Sequence, residues 1–253
     1  MGGAVAIAGL LAFAPCGARA QAFEVASIRL NKTGIRGGSA DFPRGGERFT
    51  ATNMPFGALV LIAYNVTVRQ LSGPGDFLSE KYDVAAKAGY AAGPDEMRRM
   101  LQALLADRFK LAIRRETKEV PVYALTVGKG GAKLRRSDSP EGWAEAPRTP
   151  SGAGGIEPSS GRLVFKNESM GDFAWALSRM AGFGDRVVVD HTGLKGRYDF
   201  ELTFERNRAA QESGIEDPPI FSAIEEELGL KLESTKRPVE FLIVEHVEWP
   251  SEN

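Results

Sequence analysis

Cysteine is almost missing from this chain of 253 residues, with Cys16 the only one, so no internal disulfide framework exists. Histidine is nearly as scarce: His191 and His246 are the only two, which excludes a histidine-rich metal centre. An excess of either charge is also lacking. With 32 basic and 33 acidic residues the formal net charge is −1, and nothing draws the chain toward nucleic acid or anionic lipid. No apolar run reaches the roughly 20 residues that a membrane-spanning helix requires, so no transmembrane span is expected in the mature chain. What remains is an ordinary globular composition, 43% hydrophobic and 26% charged, long enough for one large domain or two small ones.

The first twenty residues differ from the rest. Ala4 to Ala14 is an apolar run, followed by Pro15 and the small-x-small triplet Ala18-Arg19-Ala20. That order matches a secretory signal peptide over 1–20, cleaved before Gln21, although the usual basic n-region is missing. The expected product is exported: periplasmic, outer-membrane-associated or extracellular. A lipoprotein would acylate Cys16, but Pro15 stands where a small residue such as Gly or Ala is wanted. Cleavage leaves no thiol chemistry in the mature chain.

Beyond the leader the chain repeats itself. Arg48-Phe49 recurs as Arg162-Leu163 at an offset of 114, as do Asn53 and Asn167, Phe56 and Met170, and Leu59 and Phe173. The offset becomes 116 for Lys81-Tyr82-Asp83 and Arg197-Tyr198-Asp199, and 121 for Phe109-Lys110-Leu111 and Leu230-Lys231-Leu232. A drift this small and in one direction predicts tandem duplication of one supersecondary unit.

Periodicity fills in the unit. Phe23 to Leu30 alternates as an edge strand, and Asn31 to Gly46 is turn-rich. Arg48 to Thr52 is a short strand, Asn53 an expected helix N-cap, and Phe56, Leu59, Val60 and Ala63 fall at helical spacing. Tyr198, Phe200, Leu202 and Phe204 alternate with polar residues as a half-buried strand, matched more weakly by Tyr82, Val84 and Ala86. Pro94 to Phe109 reads as an amphipathic helix with Met97, Met100, Leu101, Leu104 and Leu105 inward. Its counterpart starts at Pro218-Pro219 and ends at Gly229. Each unit is expected to close with two strands, Leu111–Arg115 with Val120–Val127, and Lys231–Ser234 with Val239–Val247.

The fold class expected is α+β: a duplicated strand-helix-strand-helix-strand-strand unit with antiparallel or mixed sheets and helices packed on one face. The first strand and repeat take 21–127, a Gly/Pro/Ser-rich linker 128–161, and the second repeat 162–253.

Several segments carry a resemblance: Phe23-Glu24-Val25-Ala26-Ser27-Ile28, Leu104 to Leu111, Pro121 to Leu125, Thr192 to Phe200 and the tail Pro250-Ser251-Glu252-Asn253. Together they resemble the soil-associated acidobacterial family of unknown function, the DUF3738 group. The resemblance implies a secreted or envelope protein, in some relatives attached behind a membrane-embedded zinc peptidase of the β-lactam sensor type. It carries over no catalytic residue, and the His-Glu-x-x-His of that peptidase is absent here.

Four residues are candidates for ligand binding: His191, His246, Asp83 and Asp199. His191 lies in Asp190-His191-Thr192-Gly193, where a polar turn residue is the simpler account. His246, with Glu245 and Glu248 nearby, has the company of a proton-transfer group or a metal ligand, but a rim histidine is the simpler account. Adjacent strand residues point to opposite faces, so each Tyr-Asp pair is expected to split, the tyrosine to the core and the aspartate to solvent or a turn. Gly128 to Lys133 lacks the Gly-Lys-Ser/Thr ending of a phosphate loop, and Glu225-Glu226-Glu227 reads as a wet helix face. No catalytic, metal or cofactor residue is assigned.

The leading expectation is a non-enzymatic binding or accessory module, offering a cleft or strand edge to an envelope protein, peptide or cell-wall ligand. An extracellular hydrolase using His246 with nearby carboxylates, and an assembly module of a secretion or receptor complex, are the alternatives.

Overall fold

The computed structural model describes residues 22–41, 46–138, 156–157, 162–180, 183, 186–204 and 219–250. The expected signal segment and Cys16 lie outside the described residues.

Helices and sheets are both present, as an α+β chain requires. The first sheet contains β1 (Val25–Leu30), β2 (Ser39–Asp41), β3 (Arg48–Pro55) and β5 (Lys81–Lys87), ordered β1-β5-β3-β2 with all neighbours antiparallel. A second, central sheet has the order β10-β6-β12-β4 and contains β4 (Leu71–Ser72), β6 (Ala112–Val127), β10 (Val187–Asp190) and β12 (Leu230–His246). The third, ordered β7-β11-β9-β8, contains β7 (Arg135–Arg136), β8 (Ile156–Glu157), β9 (Arg162–Glu168) and β11 (Tyr198–Thr203). Helices α1 (Phe56–Tyr64), α2 (Gly75–Ser79) and α3 (Pro94–Phe109) belong to the first half, α4 (Met170–Ser178) and α5 (Pro219–Leu228) to the second.

Local chemistry explains most of these elements. In β11, Tyr198, Phe200 and Leu202 are buried while the residues between them face outward, the period of a half-buried strand. Helix α3 has proline in its first turn, Glu96 Oε2 accepting from the Gly93 N–H (3.1 Å), and an inward stripe from Met97 to Phe109. Helix α4 is capped by Ser169, whose Oγ accepts from the Asp172 N–H (3.1 Å).

The sequence expectation has no place for the short elements β2, β4, β10 and α2, and three further features depart from it. Pro55, not Asn53, precedes α1 as its cap residue; Asn53 has φ 54°, a left-handed conformation that asparagine tolerates and that a strand irregularity here demands. The two strands expected to close each unit are one continuous strand in each case, β6 of 16 residues and β12 of 17, and these pair with each other along their length. Glu116–Glu119 and Thr235–Pro238 look like turns because they are polar, yet neither offers the Asn-Gly type of pair that a tight hairpin needs. They lie instead inside the ladder, with Glu119 opposite Pro238, and nearer the Ala112 end Arg114–Glu245 (2.8 Å) and Arg115–Glu240 (2.7 Å) bridge the strands. The start of the expected linker is also built in. Gly128 N–H donates to Gly229 O (2.9 Å), and Lys133 donates from its N–H to Leu228 O and from Nζ to Glu226 O (both 2.8 Å), covering the end of α5. Gly229 has φ 63°, and a Cβ there would stand 2.1 Å from Gly131 O, so no other residue fits. Residues 135–136 and 156–157 of the same segment add β7 and β8 to the third sheet; 139–155 and 158–161 lie outside the described residues.

Two cores result. Phe56, Tyr82, Met97, Leu101, Leu105 and Phe109 centre the first; Phe165, Phe173, Leu177, Phe200, Ile224 and Leu230 centre the second. Tyr82 is fully buried against Phe56 and Phe109, and its hydroxyl has no hydrogen-bond partner. Tyr198, its counterpart, donates to Lys195 O (2.9 Å).

Burial pushes the Tyr82 hydroxyl up from its ordinary value of 10.0 to about 12. The unfolded chain therefore loses this proton first, and stability from this group is intact below about pH 10 and falls as pH rises toward 12. Urea unfolding of Tyr82→Phe is expected to show stability at pH 7 equal to or up to about 1 kcal/mol above the parent, with a shallower alkaline decline.

Candidate functional site

The two aspartates of the repeated Tyr-Asp pair hold backbone. Asp83 Oδ1 accepts from the Asn53 N–H (2.7 Å) and from Asn31 Nδ2 (2.8 Å), at the point where the β3–β5 register shifts between Ala51 and Met54. Asp199 Oδ1 accepts from the Asn167 N–H (2.7 Å), beside the shift in the β9–β11 register between Tyr198 and Phe200. Asn167 has φ 51°, nearly the value at Asn53. Each bulge leaves a strand N–H without a ladder partner, and the carboxylate across the sheet takes it. Asp83 and Asp199 are half-buried, with a structural task in place of the solvent or turn position expected of them. The recurrence of Asn at 53 and 167 was the available clue, because asparagine is among the few residues at ease in the left-handed region.

The histidines stand at opposite ends of the central ladder. His191 is exposed just after β10, and its N–H donates to Leu125 O (2.9 Å). His246 pairs in register with Ala112, at the other end of β6, and its Nε2 is 2.8 Å from Glu248 Oε1, with both side chains more than half exposed. Strand rise over that stretch separates them by roughly 40 Å, so they share no site. Among the described residues no group of three His, Cys, Asp or Glu side chains is placed to hold a metal ion, and no helix is long and apolar enough to cross a membrane.

Among the described residues the most buried ion pair has no motif in the sequence. Asp172, on the first turn of α4 and 4% exposed, meets Arg98 Nη2 of α3 through Oδ1 (2.6 Å) and lies 3.7 Å from Arg197 Nη1 through Oδ2. Ser169 Oγ donates to the same Oδ2 (2.9 Å). The cluster therefore joins the first half to the second. Repeat comparison hides it, because the position 114 earlier is Ala58. The only local sign is Ser169-x-x-Asp172 ahead of an apolar run, a helix-start pattern.

Where the halves meet there is an open groove of about 160 Å³. Asn65, Thr67 and Gln70 line it from the first half, and Trp175, Ser178 and Asp190 from the second. Both walls are tied down: Trp175 Nε1 donates to Val66 O (3.0 Å), and Gln70 Nε2 donates to Glu240 O (3.0 Å). Ser178 Oγ accepts from the Val188 N–H (2.7 Å), and the Arg179 guanidinium lies 4.5 Å from the Trp175 ring centroid. The lining offers one aromatic side chain, the Asn65 amide and one carboxylate, a set suited to polar matter, while the Thr67 and Ser178 hydroxyls and the Gln70 amide are engaged in internal hydrogen bonds. None of Asp83, Asp199, His191 or His246 lines it.

Asp172→Ala takes this carboxylate from the buried Arg98, which keeps Asp95 (2.8 Å), and is expected to cost about 1.5–3 kcal/mol in urea unfolding. Asp83→Ala removes one acceptor from a bulge N–H and is expected to cost about 1–3 kcal/mol, with Asp83→Asn losing less because Oδ1 is kept.

Neither the curated proteins nor the solved structures contain a match to this chain. One family model matches, over residues 57–247, a span that takes in both Tyr-Asp pairs, the Asp172 cluster and the whole groove lining. It describes proteins of unknown function, and the chain belongs to that family, DUF3738.

Proposed function

We propose that this protein is a non-enzymatic binding or accessory module of the cell envelope, which seats one unit of an envelope protein, peptide or cell-wall polymer in the groove between its halves. One observation carries the reading: the groove's two walls come from segments far apart in the chain, and contacts on both sides fix them before any ligand arrives. A preorganised site spends less binding energy on ordering itself. The matching bulges at Asn53 and Asn167 support the further reading of the halves as duplicated copies of one unit, with the groove formed at their junction.

Asn65 and Asp190 provide the test. Asn65 has φ 52°, so Asn65→Gly removes the amide while suiting the backbone. Asp190 Oδ1 accepts from the Thr192 N–H (2.9 Å) and hydroxyl (2.8 Å), an interaction that Asp190→Asn keeps while losing the charge. Immobilised protein offered native envelope extract is expected to retain a partner, and each variant to weaken retention roughly five- to tenfold. Retention no better than background, or indifferent to both changes, would sink the groove reading.

The contact between His246 and Glu248 favours a second reading, an extracellular hydrolase with that pair as acid and base. Any polymer-cleaving activity of the protein is then expected to vanish in His246→Ala. Activity that survives the change would remove this version. An assembly role in a secretion or receptor complex predicts instead co-purification with outer-membrane machinery.

A further inference from the structure

The edges of the three sheets differ in how well they are protected. β2, β4, β7, β8 and β10 are four residues or shorter. On β10, Ser178 Oγ also occupies the Val188 N–H (2.7 Å). β1 is six residues long with no proline and no register shift, and its Leu30 is 42% exposed. Natural sheets rarely leave such an edge open, because its free N–H and C=O groups template another strand.

The direction of those groups follows from the ladder. Asn31 N–H donates to Lys81 O (2.8 Å) in continuation of the β1–β5 register, so Val25, Ser27 and Arg29 point their backbone groups toward β5. Ala26, Ile28 and Leu30 then turn theirs outward. We propose that this edge pairs with β1 of a second copy of the chain, antiparallel about a two-fold axis, with Ile28 facing Ile28.

In that register Ala26 of each copy faces Leu30 of the other, so all three outward residues are paired and the exposed Leu30 gains an apolar neighbour. Charge selects it over its neighbours. Just beyond the strand Glu24 of each copy lies opposite Lys32 of the other, an attraction made twice by symmetry. A shift of two positions one way sets Arg29 against Arg29, and the other way leaves Glu24 opposite Leu30. The two first sheets become one continuous sheet across the axis. A single strand pair is a small interface, so the dimer is weak and reversible.

Sedimentation equilibrium of the purified protein, from roughly 1 μM to several hundred μM, is expected to show a monomer–dimer equilibrium. Ala26→Pro removes an outward N–H and no β1–β5 bond, so it is expected to leave a folded monomer throughout, with unchanged circular dichroism. Glu24→Lys is expected to weaken dimerisation about tenfold, and adding Lys32→Glu to restore it. A protein that is monomeric over the whole range, a dimer indifferent to Ala26→Pro, or a charge exchange without recovery each overturns the proposal.

Discussion

The antiparallel ladder between Ala112–Val127 and Leu230–His246 is the constraint on which the rest of the molecule depends. It joins residues more than a hundred positions apart, so the chain must give up substantial loop entropy before the ladder forms. The compensation comes at its two ends. Near Ala112 the ladder enters the first core, bringing Ile113 and, from the second half, Val244. Near Val127 it enters the second core, bringing Leu125 from the first half beside Leu230. Each strand thus completes the other half's core. The middle carries a small cluster of its own, Val122 and Val239 beside Val187, and toward the Ala112 end charged pairs bridge the strands.

That exchange places the shorter elements. β4 of the first half runs parallel beside β12 of the second, and β10 of the second runs parallel beside β6 of the first. The groove lies among these junctions, so its walls inherit their rigidity from the ladder and from the buried Arg98–Asp172 pair. A groove made in this way needs no motif in either half.

Polar groups inside the molecule are handled unequally in the two halves. Both bulges use the same device, an aspartate across the sheet taking the N–H of a left-handed asparagine. The tyrosines beside those aspartates diverge, Tyr198 with its hydroxyl satisfied and Tyr82 without a partner. Asp172 likewise stands where the first half has Ala58. The shared device maintains backbone geometry at the two bulges, while Asp172 faces the other half through Arg98.

Much of the architecture was legible in the residues themselves. The helical stripes of Met97 to Phe109 and Ile220 to Leu228, the alternation of Tyr198 to Leu202 and the left-handed end at Gly229 all follow from periodicity and backbone sterics, which act locally. So did the splitting of Tyr82 from Asp83, since strand geometry alone sends neighbours to opposite faces. The polar stretches at Glu116–Glu119 and Thr235–Pro238 misled because polarity signals exposure, and an exposed ladder is as polar as a turn. The tasks of Asp83, Asp199 and Asp172, and the groove, were not legible, because each depends on which distant N–H or guanidinium arrives beside it. Sequence by itself determined the longer helices and the alternating strands and which face of each is apolar. Only the tertiary structure decided that β6 would pair with β12, since strand pairing is a competition among distant partners that local pattern does not rank.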